Sequence, residues 1–149
     1  MTSEFTGNND ISFLLKNLDN HIQRYLHSFY KRKDFQDCSL MNMWVSDFLY
    51  DNCENEIYQK DIEAEFFINR ATASKMLSLM EEKQIIERIS SEKDARMKRI
   101  KLLSKGVALH ELCIQVRAEL ERKLTEALSP QEIEQFRMLC RKMIACMEE

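Results

Sequence analysis

From Asn69 to Lys83 the chain reads NRATASKMLSLMEEK, and residue type there follows a helical rhythm. Ala73, Met76, Leu77 and Met80 fall at i, i+3, i+4 and i+7, one face of an amphipathic helix. The other face carries Arg70, Ala71, Ser74, Lys75 and Ser78, flanked by Thr72, and the first acid is Glu81. Such a face suits recognition of a polyanion. Short side chains let a backbone approach base edges in the DNA major groove, and a lysine reaches a guanine edge or a phosphate. A merely solvated helix face has the same polarity, so a second basic element has to decide between the two.

That element follows directly. QIIERIS and RIKLL are short and rich in isoleucine, with Ile100 and Leu102 alternating with Arg99 and Lys101. Period-2 alternation around the charged SEKDARMK predicts a β-hairpin. Lys93, Arg96, Lys98 and Arg99 crowd its tip and rim. Between Arg70 and Gly106 ten bases face five acids, a local +5, which leaves −8 for the remainder of a chain whose net charge is −3. A basic segment on an acidic body, with a helix and a charged loop in succession, is better explained by a phosphate backbone than by coincidence.

Other chemistries find little in the sequence. There is no glycine-rich phosphate loop, no nucleophile motif and no pair of carboxylates beside a base, so no catalytic residues and no enzymatic activity are expected. His110 and Cys113 share a helix face at i, i+3 without further ligands, so no metal and no cofactor are expected. The five cysteines are odd in number and unclustered, the pattern of reduced and mostly buried thiols. Cys38 alone directly precedes a helix N-cap, where the helix dipole can stabilise a thiolate, and it is the redox candidate beside the alternative of an inert buried thiol.

The elements that must position the basic surface can be read from the same patterns. The 149 residues contain 2 glycines and 1 proline, which leaves few special turns and favours long helices in one domain. No apolar run approaches the roughly 20 residues of a membrane span, and MTSEFTGNND has no secretory character, so a cytoplasmic protein with no membrane partner is expected. Residues 11–30 read as a helix with a seam of Ile11, Leu15, Leu18, Ile22, Tyr25 and Phe29. KRKDFQD is a polar break, and Ser39 caps a second helix reaching about Asn52, with Leu40, Met41, Trp44, Val45, Phe48 and Leu49 as its apolar positions. A short extended piece and a short helix over 59–66 precede the quoted helix, which Asn69 caps. After the hairpin a long helix runs from Ser104 to about Ala127. SPQE then opens a last helix with Ser129 as N-cap, Pro130 in the first turn, a capping-box Glu132 and a stripe of Ile133, Phe136, Leu139, Cys140, Met143, Ile144 and Met147. Short helix, turn, helix and charged hairpin form a winged helix-turn-helix. The expected fold is therefore mainly α with a small β-hairpin wing: 38–103 a DNA-binding region, 10–32 and 104–149 a helical dimerisation region.

From Tyr58 to Gly106 the sequence resembles the core of the MarR family of bacterial transcription regulators. The matching features are QKDI, INRATAS leading into the recognition helix, LMEEK followed by II and R, the D-x-R of Asp94-Ala95-Arg96, and the closing SKG. The resemblance implies a homodimer whose first helix and last two helices interleave, reading a pseudo-palindromic operator on double-stranded DNA, more often as a repressor. It implies that Arg96 enters the minor groove, oriented by Asp94 through a charge-assisted hydrogen bond. Gln59 and Asn69, each opening a helix of the motif, complete the DNA-facing set of Arg70, Ala71, Thr72, Ser74, Lys75, Ser78, Lys93, Asp94, Arg96, Lys98 and Arg99.

Three departures from the family pattern bear on local geometry. FFI (Phe66 to Ile68) lacks the usual glycine or asparagine of the turn. Gln84 replaces a helix-ending glycine and implies a positive φ or a different cap. Leu103 replaces a threonine, leaving Ser104 as the expected cap of the long helix. The resemblance also implies release by a small aromatic ligand in a cleft, for which His21, Tyr25, Met41, Trp44 and Phe48 are candidates beside the plainer reading as core. Two alternatives stay open: a winged-helix module that binds protein as an adaptor or antirepressor, and a cysteine-based redox regulator of the same family.

Overall fold

The computed structural model describes the backbone of residues 5–32 and 39–148, with the side chains of all of these but 29–32. Phe29 of the expected seam and the redox candidate Cys38 lie outside the described side chains. A 3-10 turn, Thr6–Asn9, leads into α1 (Ile11–Arg32), followed by α2 (Leu40–Asp51), α3 (Gln59–Phe66), α4 (Arg70–Glu82), β1 (Ile86–Ser90), β2 (Lys98–Leu102), α5 (Ser104–Thr125) and α6 (Pro130–Met147). α1 thus continues through the first two residues of KRKDFQD. None of the described helices is long and apolar enough to cross a membrane.

The chain divides into two compact units between Ile114 and Gln115, within α5. The first unit buries one continuous core, in which Met43, Val45, Ile62, Ala73, Leu77, Met80 and Cys113 are inaccessible to solvent. β1 and β2 pair antiparallel with Ile86 opposite Leu102 and Ser90 opposite Lys98. The Ile100 N–H donates to the Ile57 carbonyl at 2.7 Å, so the extended piece ahead of α3 joins the edge of β2.

The helix ends follow from capping chemistry. Ser39 and Asn69 accept from the N–H groups of Asn42 and Thr72, at 3.1 and 2.8 Å. At the far end of α4, Gln84 adopts φ 60°, the left-handed conformation that its glycine-like position implied. The Gln84 N–H donates to Glu81 O, and the Ile85 N–H to Met80 O, both at 3.0 Å. These are the two bonds of a Schellman motif, and buried Ile85 beside buried Met80 supplies its apolar contact. Phe67 in the FFI turn also sits in the left-handed region, at φ 49°, and its ring is 80% exposed. A bulky residue there is strained by about 1–2 kcal/mol relative to glycine.

Two sequence expectations are corrected. The Leu103 carbonyl, not Ser104, accepts the first helical bond of α5, from the Val107 N–H at 3.0 Å, while the Leu103 N–H donates to Ile85 O at 2.9 Å. The strand thus runs straight into the helix, and the N-cap position belongs to Leu103. In α2 the buried face includes Met43, Ser46 and Asp47, whereas Trp44 is 39% exposed. Burial of the two polar residues is tolerated because each is hydrogen-bonded: Ser46 Oγ donates to Asn42 O at 2.9 Å, and Asp47 takes two donors from α5.

Gly106, buried in the first turn of α5, packs closely against the hairpin base. A Cβ there would lie 2.4 Å from both Ile85 O and a Leu102 methyl. Glycine to alanine within a helix ordinarily gains up to about 1 kcal/mol, but here a backbone oxygen would have to move. Gly106→Ala should cost about 1–3 kcal/mol net, read as an earlier urea midpoint at unchanged slope.

In the second unit, the capping box opening α6 is complete: Ser129 N–H donates to Glu132 Oε1 at 3.0 Å, and Glu132 N–H to Ser129 Oγ at 3.1 Å. The Ser129 amide holds the Glu132 carboxyl below its usual range. A depressed carboxylate stabilises the fold above its unfolded pKa and loses that contribution as pH falls through the folded value. Nothing described on α6 is buried; Phe136, Leu139 and Ile144 are 47%, 46% and 57% exposed.

Candidate nucleic-acid interface

α3 and α4 form the helix-turn-helix, and the inward positions Ala73, Leu77 and Met80 are fully buried. Their burial leaves Arg70, Ala71, Thr72, Lys75 and Ser78 exposed and Ser74 half-buried. The helix therefore presents the small, basic face read from the sequence. Asn69 is engaged as the N-cap of α4, and Gln59 Nε2 donates to the Arg70 carbonyl at 3.4 Å, tying the start of α3 to the start of α4.

Ser78 has a second task. Its Oγ accepts from Arg88 Nη2 at 3.0 Å, and the same guanidinium lies 3.4 Å from Glu81 Oε1. The Arg88 N–H also donates to Glu81 Oε2 at 3.2 Å, so one arginine latches β1 onto the end of α4. The Ser78 hydroxyl keeps its proton for donation outward. In the sequence Arg88 was one base among ten; only strand pairing reveals which of them turns inward.

The wing is a seven-residue loop closed by the Ser91 N–H on Met97 O at 2.9 Å. Ser91 is buried and accepts from the Lys93 N–H at 3.2 Å; the Tyr58 hydroxyl lies 3.2 Å from it while donating to Glu56 at 2.8 Å. Asp94 Oδ1 accepts from the Arg96 N–H at 3.0 Å and faces Arg96 Nε at 3.5 Å. The Arg96 side chain is 93% exposed. Asp94 therefore contacts the base of a guanidinium that projects into solvent. Lys93 and Lys98 are exposed and Arg99 half-buried.

The cleft candidates are less gathered. His21 is exposed and bonded within its own helix, Nδ1 to Asn17 O at 2.8 Å, and Tyr25 is half-buried. Phe48 is half-buried, edge-on to Phe66 at 5.9 Å, and Met41 is half-buried beside exposed Trp44.

A polar cluster that the sequence did not disclose lies between α2 and α5. His110 Nδ1 donates to Asp47 Oδ1 at 2.6 Å, and Cys113 Sγ donates to Asp47 Oδ2 at 3.4 Å. The Tyr50 ring stacks on the imidazole at 3.9 Å. The i, i+3 pair of His110 and Cys113 was visible; its partner 63 residues earlier was not, although an aspartate inside the apolar run of α2 was a usable signal. Among the described residues no trio is arranged to hold a metal ion.

Comparison with known proteins agrees with this architecture. Residues 47–97 match the model of the MarR family. No curated protein matches the chain significantly. Among solved structures, S. aureus MepR in complex with DNA is 25% identical, with TM-score 0.81 over 97% of this chain and 99% of that one. The transcription regulator MarR from Oenococcus oeni is 29% identical, with TM-score 0.70 over 91% and 99%. The heme sensor PefR from Streptococcus agalactiae, 20% identical with TM-score 0.69 over 93% and 95%, shares the fold. Over residues 47–97, which hold the helix-turn-helix and most of the wing, the chain matches the MarR family model, and over more than nine-tenths of its length it is similar to winged-helix transcription regulators of known structure.

Proposed function

We propose that the protein is a sequence-specific DNA-binding regulator, a repressor, acting as a homodimer on a pseudo-palindromic operator and released by a small aromatic ligand. The observation that carries this reading is the paired basic surface. The outward face of α4 presents exposed Arg70 and Lys75, and Arg96 stands 93% exposed on a wing that Asp94 braces. Dimerisation is supported by apolar surface with no use in an isolated chain. On α1, Ile11, Leu15 and Leu18 are 62%, 43% and 40% exposed, and α6 carries the stripe already described. Recognition helices of such a dimer would address half-sites about 34 Å apart. Release by ligand is supported by Trp44 and Phe48 of α2, whose rings are not fully enclosed.

Selection of duplexes from a randomised pool at two salt concentrations, followed by sequencing, tests this. The expected result is a palindrome with half-site centres about ten base pairs apart. Affinity should fall by orders of magnitude between low and moderate salt, as release of counterions from several phosphates requires. No enrichment from a folded dimer would favour the protein-interaction alternative, to which the −8 outside the basic segment lends weight.

A further inference from the structure

A half-open cavity of about 250 Å³ lies among the end of α2, the extended piece ahead of α3, β2 and the first turn of α5. It is separate from the aromatic cleft residues and from the outward face of α4. Its walls are aliphatic where they are apolar, with Leu49, Ile57 and Val107 prominent. The single aromatic, Tyr50, already stacks one face on His110. The rim carries the amides of Asn52 and Asn55, the Cys53 thiol and the cations Arg99 and Lys101, and among the described residues no acid lines it, although the chain as a whole is acidic. Lys101 has Glu87 as its cross-strand neighbour, whereas Arg99 is paired with Ile89, so Arg99 is the cation with charge to spare.

The geometry points to a binding site for a short-chain aliphatic monocarboxylate, its tail against the aliphatic wall and its carboxylate on Arg99 with Lys101 in support. The size agrees. A cavity of about 150 Å³ accommodates benzene, so this one holds a chain of about six carbons with its headgroup at the mouth. A guanidinium and an ammonium supply charge-assisted hydrogen bonds that a neutral headgroup does not receive. Because Arg99 also belongs to the set assigned to DNA, a bound carboxylate competes with phosphate for it. That consequence rests on the DNA-binding reading; the binding itself does not.

Cys53, exposed on the rim, is a built-in reporter. The full-length protein is alkylated with iodoacetamide while hexanoate is titrated, and each cysteine is followed by mass spectrometry. Cys53 should be protected about tenfold when hexanoate stands at ten times its Kd, while exposed Cys146 on α6 reacts unchanged. Hexanamide at the same concentration should not protect, and Arg99→Gln with Lys101→Gln should weaken hexanoate by about tenfold or more. Calorimetry of hexanoate binding to Cys53→Ser checks the affinity without the reporter. Equal protection by the amide would overturn the anion assignment. Equal slowing at Cys146, or neither protection nor heat, would overturn the site. None of these outcomes depends on DNA, so they leave the proposed function to its own test.

Discussion

Lys75→Ala should weaken operator binding by about 1–3 kcal/mol per half-site, and by about twice that in a dimer engaging both. Lys75 is exposed on the outward face of α4, on the opposite side from the buried Ala73, Leu77 and Met80. Truncation therefore leaves the fold intact and removes only what the side chain does outside it. If that is a base contact, the loss falls mainly on the preferred sequence, and preference at one position of each half-site relaxes. Arg96→Ala is the informative comparison. Among the described residues its guanidinium is anchored only at its base, by Asp94, and the side chain is 93% exposed. Truncation there should reduce affinity across sequences more evenly and flatten the salt dependence by about one phosphate per wing. Asp94→Ala should reproduce part of the Arg96→Ala loss, because the arginine stays but its orientation is freed. Titrations against operator and scrambled duplex at several salt concentrations separate these cases. Unchanged affinity for both Lys75→Ala and Arg96→Ala would remove α4 and the wing from the interface together.

The features that could be read directly from the chain are those governed by neighbours in sequence. Ser39, Asn69 and Ser129 cap helices because a short polar side chain reaches an amide three residues on, a relation that spacing alone expresses. The positive φ of Gln84 is one of the two outcomes implied by the family resemblance, which places a helix-ending glycine at that position. What escaped were relations between distant residues. Arg88 looks like any other base until strand pairing brings it back over Ser78 and Glu81. Trp44 looks like a core residue until the orientation of α2 is set by neighbours that bury Ser46 and Asp47 instead. The cavity between β2 and the end of α2 is a void, and a void has no sequence signal at all.

Asp47→Ala should lower stability by about 2–4 kcal/mol, although the residue touches neither the outward face of α4 nor the wing. Asp47 is 6% exposed, and its carboxylate accepts from two donors on α5, the half-buried His110 imidazole and the buried Cys113 thiol. Alanine removes this acceptor from both and opens space between α2 and α5. The alternative is that the bonds return no more than the cost of burying the carboxylate, as buried polar pairs often do. Two further variants distinguish these. Asp47→Asn keeps one oxygen acceptor but turns an amide donor towards another donor, so it should lose part of the stability and not all of it. Asp47→Leu combined with His110→Leu removes donor and acceptor together and should recover much of the alanine loss, since the penalty lies in the unpaired group. Urea unfolding of the set reads the outcome. If the double replacement is as unstable as Asp47→Ala, the cluster contributes through shape and packing. Recovery assigns its role to polar pairing, which fixes the register of α5 against α2 and with it the first turn on which the wing strands rest.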